Sequence, residues 1–244
     1  MCRLMAYASI EDTTLPTLLG EKLAGFRELS RIHKDSWGIS WNSAGDTKTI
    51  RRVESASDSS DFSRILSESP ASAGLLHLRE ASRGISICEE NAHPFSLDGI
   101  SFIHNGTIFP HDALLEVIPD ELMESRVGST DSELFFLHAI NNIRKSNLID
   151  GVKNTINDLR SNYQYSGINS IFLNSDYLVV VCEFNEADDH NVKTPGYYEL
   201  RFQGDESSLV VASSGWEQSG WELIPNHHML VVDRKTLYKR ILPL

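Results

Sequence analysis

The chain has 244 residues, of which 41% are hydrophobic and 23% charged, an ordinary balance for a soluble globular protein. Its 34 acidic against 22 basic side chains give a formal charge of −12, which excludes the clustered Lys and Arg of a nucleic-acid or anionic-membrane surface. No apolar run approaches the ~18 residues of a membrane span, and three widely spaced cysteines (Cys2, Cys88, Cys182) suit neither a disulfide framework nor a zinc site. The start lacks a secretory pattern, so a reducing, cytoplasmic compartment is expected.

The chain opens Met1-Cys2-Arg3. A methionine before so small a side chain is normally trimmed, which leaves Cys2 with a free α-amine a few bonds from its thiol. The amine has a pKa of roughly 7.7–8 and the thiol about 8.5, so one can serve as base for the other. Runs rich in Val, Ile, Phe and Tyr predict strands over 3–9, 37–41, 74–79, 100–104, 170–173, 177–184, 197–202, 209–212 and 229–232. Helical spacing predicts helices over 15–29, 132–143 and 147–159, the second with Thr130 as N-cap and Glu133 completing a capping box. The polar stretches 54–63 and 185–195 read as surface loops, and the Glu186, Asp188 and Asp189 cluster in the second lacks calcium-loop spacing. Strands at both ends with helices grouped between them predict an α+β fold, in one domain over 2–244.

Four further segments carry chemistry. Arg79 follows the apolar run 73–76, where a buried strand emerges; its guanidinium suits either a structural ion pair or a bidentate grip on a substrate carboxylate. His93, before Pro94, is a candidate base or a hydrogen-bonded turn residue. Asn105-Gly106 after an apolar strand is first a tight-turn signal, and alternatively an oxyanion hole built from the Asn105 amide and the Gly106 N–H. Asp131 opens a helix, where a carboxylate is favoured electrostatically, and can equally bind a substrate ammonium.

In order, these motifs are the early Cys2, Leu78-Arg79-x-Ala81-Ser82, Asn91-Ala92-His93-Pro94, His104-Asn105-Gly106 and Ser129-Thr130-Asp131-Ser132-Glu133. Together they resemble the glutaminase domain of class II glutamine amidotransferases, members of the N-terminal-nucleophile hydrolase superfamily. The tail resembles their stand-alone group, which includes a γ-glutamyl hydrolase of ergothioneine biosynthesis. The resemblance implies a four-layer αββα sandwich with Cys2 as nucleophile and its α-amine as base. It makes Asn105 and Gly106 the oxyanion hole, Arg79 and Ser82 the α-carboxylate site, and Asp131 the partner of the α-ammonium. No cofactor or metal is implied. Hexosamine-forming and purine-pathway relatives usually have Gly where this chain has Arg3. The segment Arg79-Glu80-Ala81-Ser82-Arg83 also departs from the Arg-Trp-Ala-Thr-His loop of the hexosamine-forming relatives.

The expected activity is attack of Cys2 on glutamine or a γ-glutamyl amide, release of ammonia or an amine, and hydrolysis of the resulting thioester. No phosphate-binding glycine loop or room for a fused synthase is seen. The ammonia then goes to an accepting partner subunit, or the protein is a γ-glutamyl hydrolase on a small molecule. The alternatives are an amidase acting on a non-glutamyl amide and a non-catalytic glutamine-sensing module. A metal hydrolase is disfavoured, since His227-His228 is an isolated pair outside any His-Glu-x-x-His pattern.

Overall fold

The computed structural model describes residues 2–43, 46–82 and 84–244. The first half contains β1 (Arg3–Thr13), α1 (Leu15–Leu19), α2 (Leu23–Glu28), β2 (Ser36–Ser43), β3 (Asp46–Arg52), α3 (Ser60–Glu68), β4 (Ala71–Arg79), β5 (Phe95–Leu97) and β6 (Ile100–Phe109). Next come α4 (Asp120–Met123), α5 (Asp131–Arg144), α6 (Leu148–Asn162), β7 (Gln164–Leu173), β8 (Tyr177–Cys182) and α7 (Asp189–Lys193). The chain closes with β9 (Leu200–Gly204), β10 (Ser208–Ser213), β11 (Glu222–Ile224), β12 (His228–Asp233) and β13 (Lys239–Pro243).

The strands form two antiparallel sheets, ordered β11-β9-β10-β1-β4-β2-β3 and β13-β12-β8-β7-β6-β5. Side chains alternate across a strand, so β1 sends Leu4, Ala6 and Ala8 between the sheets and Met5 and Tyr7 to the opposite face. The inner cluster joins Leu4 and Leu75 of the first sheet to Ile103, Ile171 and Val180 of the second. Outside the first sheet, Met5 and Trp37 pack with Leu15, Phe26 and Phe62 of the helical layer. Outside the second, Phe102 and Phe172 pack with Phe135 and Ile140 of α5 and Ile156 of α6. Burial on both faces explains why the central strands are apolar runs rather than alternating ones. The architecture is the expected four layers, αββα.

Several boundaries differ from the sequence reading. The helix expected over 15–29 is broken into α1 and α2 at Gly20, whose φ of +55° is unfavourable for other residues. The 54–63 loop ends early, because Ser59 Oγ accepts the Phe62 N–H at 3.1 Å and starts α3, which buries Phe62, Ile65 and Leu66. The 185–195 stretch contains the short α7, and the strand expected from 197 begins at Leu200. The strands missed altogether, β3, β5, β11 and β13, are the four sheet edges. Edge strands are half solvated and carry polar residues that mask a strand pattern. Among the described residues no helix is long and apolar enough to cross a membrane.

Candidate active site

Cys2 lies immediately ahead of β1, and β1 pairs with β4 so that Arg3 faces Leu78; the register brings the start of one strand beside Arg79 at the end of the other. From the opposing sheet, β6 presents Asn105 and Gly106. The Cys2 N–H donates to Asn105 Oδ1 at 2.8 Å. Because an N–H requires an acceptor, this bond fixes the amide orientation and turns the Asn105 Nδ2 away from the Cys2 nitrogen. The Cys2 Sγ lies 4.0 Å from the Glu80 carbonyl. Burial pushes the Cys2 thiol above its ordinary pKa, so a base is needed to form the thiolate near neutral pH.

Asn105-Gly106 is no turn; both residues lie inside β6. Gly106 has φ +154°, and a Cβ there would sit 1.6 Å from the Gly167 carbonyl oxygen on β7. Only glycine permits this approach. Just beyond it the β6–β7 register shifts between Thr107 and Ile108. Asp131 Oδ2 accepts the Ile108 N–H there at 2.7 Å, and its Oδ1 accepts the Ser132 N–H at 2.9 Å. The carboxylate thus ties the start of α5 to the bulge in β6. Thr130 caps α5 by accepting the Glu133 N–H at 3.1 Å. The expected capping box is only half formed, because the Glu133 carboxylate accepts from Val127 and Gly128 at 2.8 and 2.7 Å.

Cys2, Arg79, Ser82, Gly106 and Asp131 line one cavity of about 30 Å³; Asn105 lies behind it, joined through Cys2. Arg79 is buried, yet among the described residues no carboxylate pairs with it, and its Nη atoms make only long 3.5 Å contacts to the Ser86 carbonyl. The ion-pair reading of Arg79 therefore has no partner here. The backbone around Arg79 is pinned instead. Asp35 donates its N–H to the Arg79 carbonyl at 3.0 Å and accepts the Ala81 N–H on Oδ2 at 2.7 Å. His33 Nδ1 lies 3.5 Å from the Glu80 carboxylate. Neither Asp35 nor His33 belongs to a motif, so only the strand pairing reveals them.

Three buried histidines stand around the cavity. His104 lies between the Ser132 hydroxyl at 2.9 Å and the Gly167 carbonyl at 3.3 Å, which assigns the proton to Nε2. His77 Nε2 donates to the His104 carbonyl at 3.1 Å, and the His93 ring lies 4.2 Å from the His77 ring. Burial holds all three below the ordinary histidine pKa, His77 to about 3. His93 is therefore a weak base. Of the other cysteines, Cys182 is buried on β8 with its thiol pushed to about 12 by burial, whereas Cys88 is partly exposed.

A larger cavity of about 740 Å³ lies at the β6–β7 end, lined by Tyr165, Glu186, Asp188 and His227 among others, and contains none of the candidate residues. Volume and chemistry disagree; the smaller cavity brings together the Cys2 thiol, the Arg79 guanidinium and the Asp131 carboxylate, and is the candidate site.

The family model for class-II glutamine amidotransferases matches residues 1–228. A glutamine–fructose-6-phosphate aminotransferase (isomerizing) of Pseudomonas syringae pv. tomato is 30% identical over 154 residues, covering 61% of this chain and 24% of that protein. The chain spans about a quarter of the length of the curated relatives it matches. A glutamine aminotransferase class-II domain protein from Silicibacter pomeroyi superposes with a TM-score of 0.70 at 18% identity, over 98% of both chains. The glutamine phosphoribosylpyrophosphate amidotransferase from B. subtilis gives 0.65 at 15%, over 99% of this chain and 49% of that one. With the family matched along nearly its whole length and two sheets packed between helical layers, the chain belongs to the class-II glutamine amidotransferases and has the N-terminal-nucleophile hydrolase fold.

Proposed function

We propose that this protein hydrolyses glutamine or a γ-glutamyl amide through a Cys2 thioester, within one catalytic domain spanning 2–244. The observation that carries the reading is one cavity holding a thiol, a buried guanidinium with no carboxylate partner among the described residues and a carboxylate, with the Cys2 nitrogen held by Asn105. A γ-glutamyl group offers a matching set: an amide carbon for Cys2, an α-carboxylate for Arg79 and Ser82, and an α-ammonium for Asp131. A non-glutamyl amide would leave the Arg79 charge buried without a counter-ion, which is costly.

The mechanism needs Met1 removed; Met1 lies outside the described residues. The freed α-amine accepts the thiol proton as sulfur attacks the γ-carbonyl carbon. Negative charge then develops on the carbonyl oxygen, where the Asn105 Nδ2 and the Gly106 N–H serve as donors. As the C–N bond breaks, the amine returns the proton to the leaving nitrogen, and ammonia or an amine departs. Water, deprotonated by the same amine, attacks the thioester, and glutamate and the free thiol are released. Arg79 and Asp131 take no part in bond making; they hold the carbonyl against the sulfur. A space of about 30 Å³ admits only a water or two, so substrate binding widens it. Released ammonia passes to a partner subunit, or the amine is itself the product; a cytoplasmic setting suits the free thiol.

The zwitterion clamp is tested by comparing kcat/KM for glutamine and N-acetyl-glutamine. The acetyl group removes the positive charge and leaves the Asp131 carboxylate facing a neutral amide, so glutamine should be preferred by tenfold or more, about 1.4 kcal/mol. Equal values would favour an amidase that does not read the α-ammonium.

A further inference from the structure

His93 is almost wholly buried, lines the Cys2 cavity, and among the described residues has neither ring nitrogen hydrogen-bonded. Buried polar groups rarely stay unsatisfied in native proteins, so such a ring at a cavity wall points to a ligand atom. Its neighbours do not supply a partner. His77, whose ring lies tilted against it, gives its Nε2 proton to the His104 carbonyl, and Phe95 presents its ring at 4.7 Å. Burial first, and then the charges of His77, His104, Arg79 and Arg51, keep the imidazole neutral, with one N–H to donate. His93 and Arg79 line the same cavity.

We infer that His93 contacts the substrate, donating a ring N–H to the same α-carboxylate that Arg79 grips. A neutral donor suits this place: it adds a directed hydrogen bond beside the guanidinium without a second positive charge in a buried pocket. This rests on the γ-glutamyl reading of the site, and the experiment below separates the two.

The test uses the native protein, labelled with ¹⁵N and titrated with L-glutamate, the unreactive product. A saturable shift of one His93 ring nitrogen is expected, following the same binding curve as the Gly106 and Asp131 backbone amides. Removing the α-carboxylate, with 4-aminobutyrate as probe at the same concentrations, should leave the His93 ring unmoved. In steady-state kinetics His93→Phe should raise KM for glutamine about tenfold with kcat changed less than threefold, and His93→Asn, which keeps a donor, should recover most of the loss. If the Gly106 and Asp131 amides respond to glutamate and the His93 ring does not, the ring is a core residue and the inference is wrong. If none of them responds at saturating glutamate, the γ-glutamyl reading fails and takes the inference with it.

Discussion

Asn105 Oδ1 holds the Cys2 nitrogen at 2.8 Å, and the proposed mechanism gives the Nδ2 of the same amide a second task, donating to the oxyanion. Two substitutions separate them. Asn105→Ala removes both. Loss of an oxyanion donor costs about 2.7–4 kcal/mol, or 10²–10³ in kcat. Loss of the acceptor for the Cys2 N–H adds about 0.5–1.5 kcal/mol, so kcat should fall by at least a hundredfold. Asn105→Asp keeps an oxygen for the Cys2 nitrogen but deletes the donor and places a carboxylate where negative charge develops. It should be as poor as the alanine variant, or poorer. The backbone of Asn105 pairs with Asn169 on β7, and the side chain takes no part in that ladder, so both variants should fold. The assay is steady-state glutamate release, with kcat and KM resolved. An aspartate variant with near-normal kcat would show that only the Oδ1 bond matters, and a raised KM with normal kcat in the alanine variant would remove the oxyanion role altogether.

Asp35 fixes the backbone on both sides of Glu80, so Asp35→Ala should raise KM about fivefold, about 1 kcal/mol, with little change in kcat. Asp35→Asn still offers an oxygen to the Ala81 N–H and should stay near wild type; identical defects in the two would mean that charge rather than the bond is at work. Stability should also depend on pH. His77, His93 and His104 have folded pKa values below the ordinary 6.5, His77 near 3, so between these limits the unfolded chain binds more protons. Their neutral burial is fully tolerated above pH 6.5 and stability is lost as pH falls, by up to about 1.4 kcal/mol per unit for each ring. Urea midpoints should therefore be lower at pH 5.0 than at pH 7.5, and equal midpoints would contradict the assignment.

The parts of this molecule that chemistry concentrates into short stretches were legible in the sequence. Cys2, Arg79, Ser82, Gly106 and Asp131 each sit in a compact motif, and the structure gathers all of them around one cavity, with Asn105 behind Cys2. The central strands were readable because burial on both faces makes them unbroken apolar runs. What escaped were features set by pairing between distant segments. Asn105-Gly106 has the composition of a turn but lies in a strand, because Gly106 must pass close to Gly167. The Asp35 contacts join residues more than forty apart in sequence, with nothing local to announce them. Edge strands such as β11 and β13 gain their form from one neighbour and have too few buried positions to show a period.

The central claim is that the mature chain begins at Cys2 and that this thiol is the nucleophile. Intact mass of the active protein, before and after 6-diazo-5-oxo-norleucine, followed by peptide mapping, tests both halves together. The chain should lack Met1 and gain one adduct, carried by Cys2. Partly exposed Cys88 serves as the internal control for indiscriminate alkylation, and buried Cys182 should not react. Quantitative retention of Met1 in active protein, or the adduct on Cys88 with Cys2 unmodified, would contradict the account.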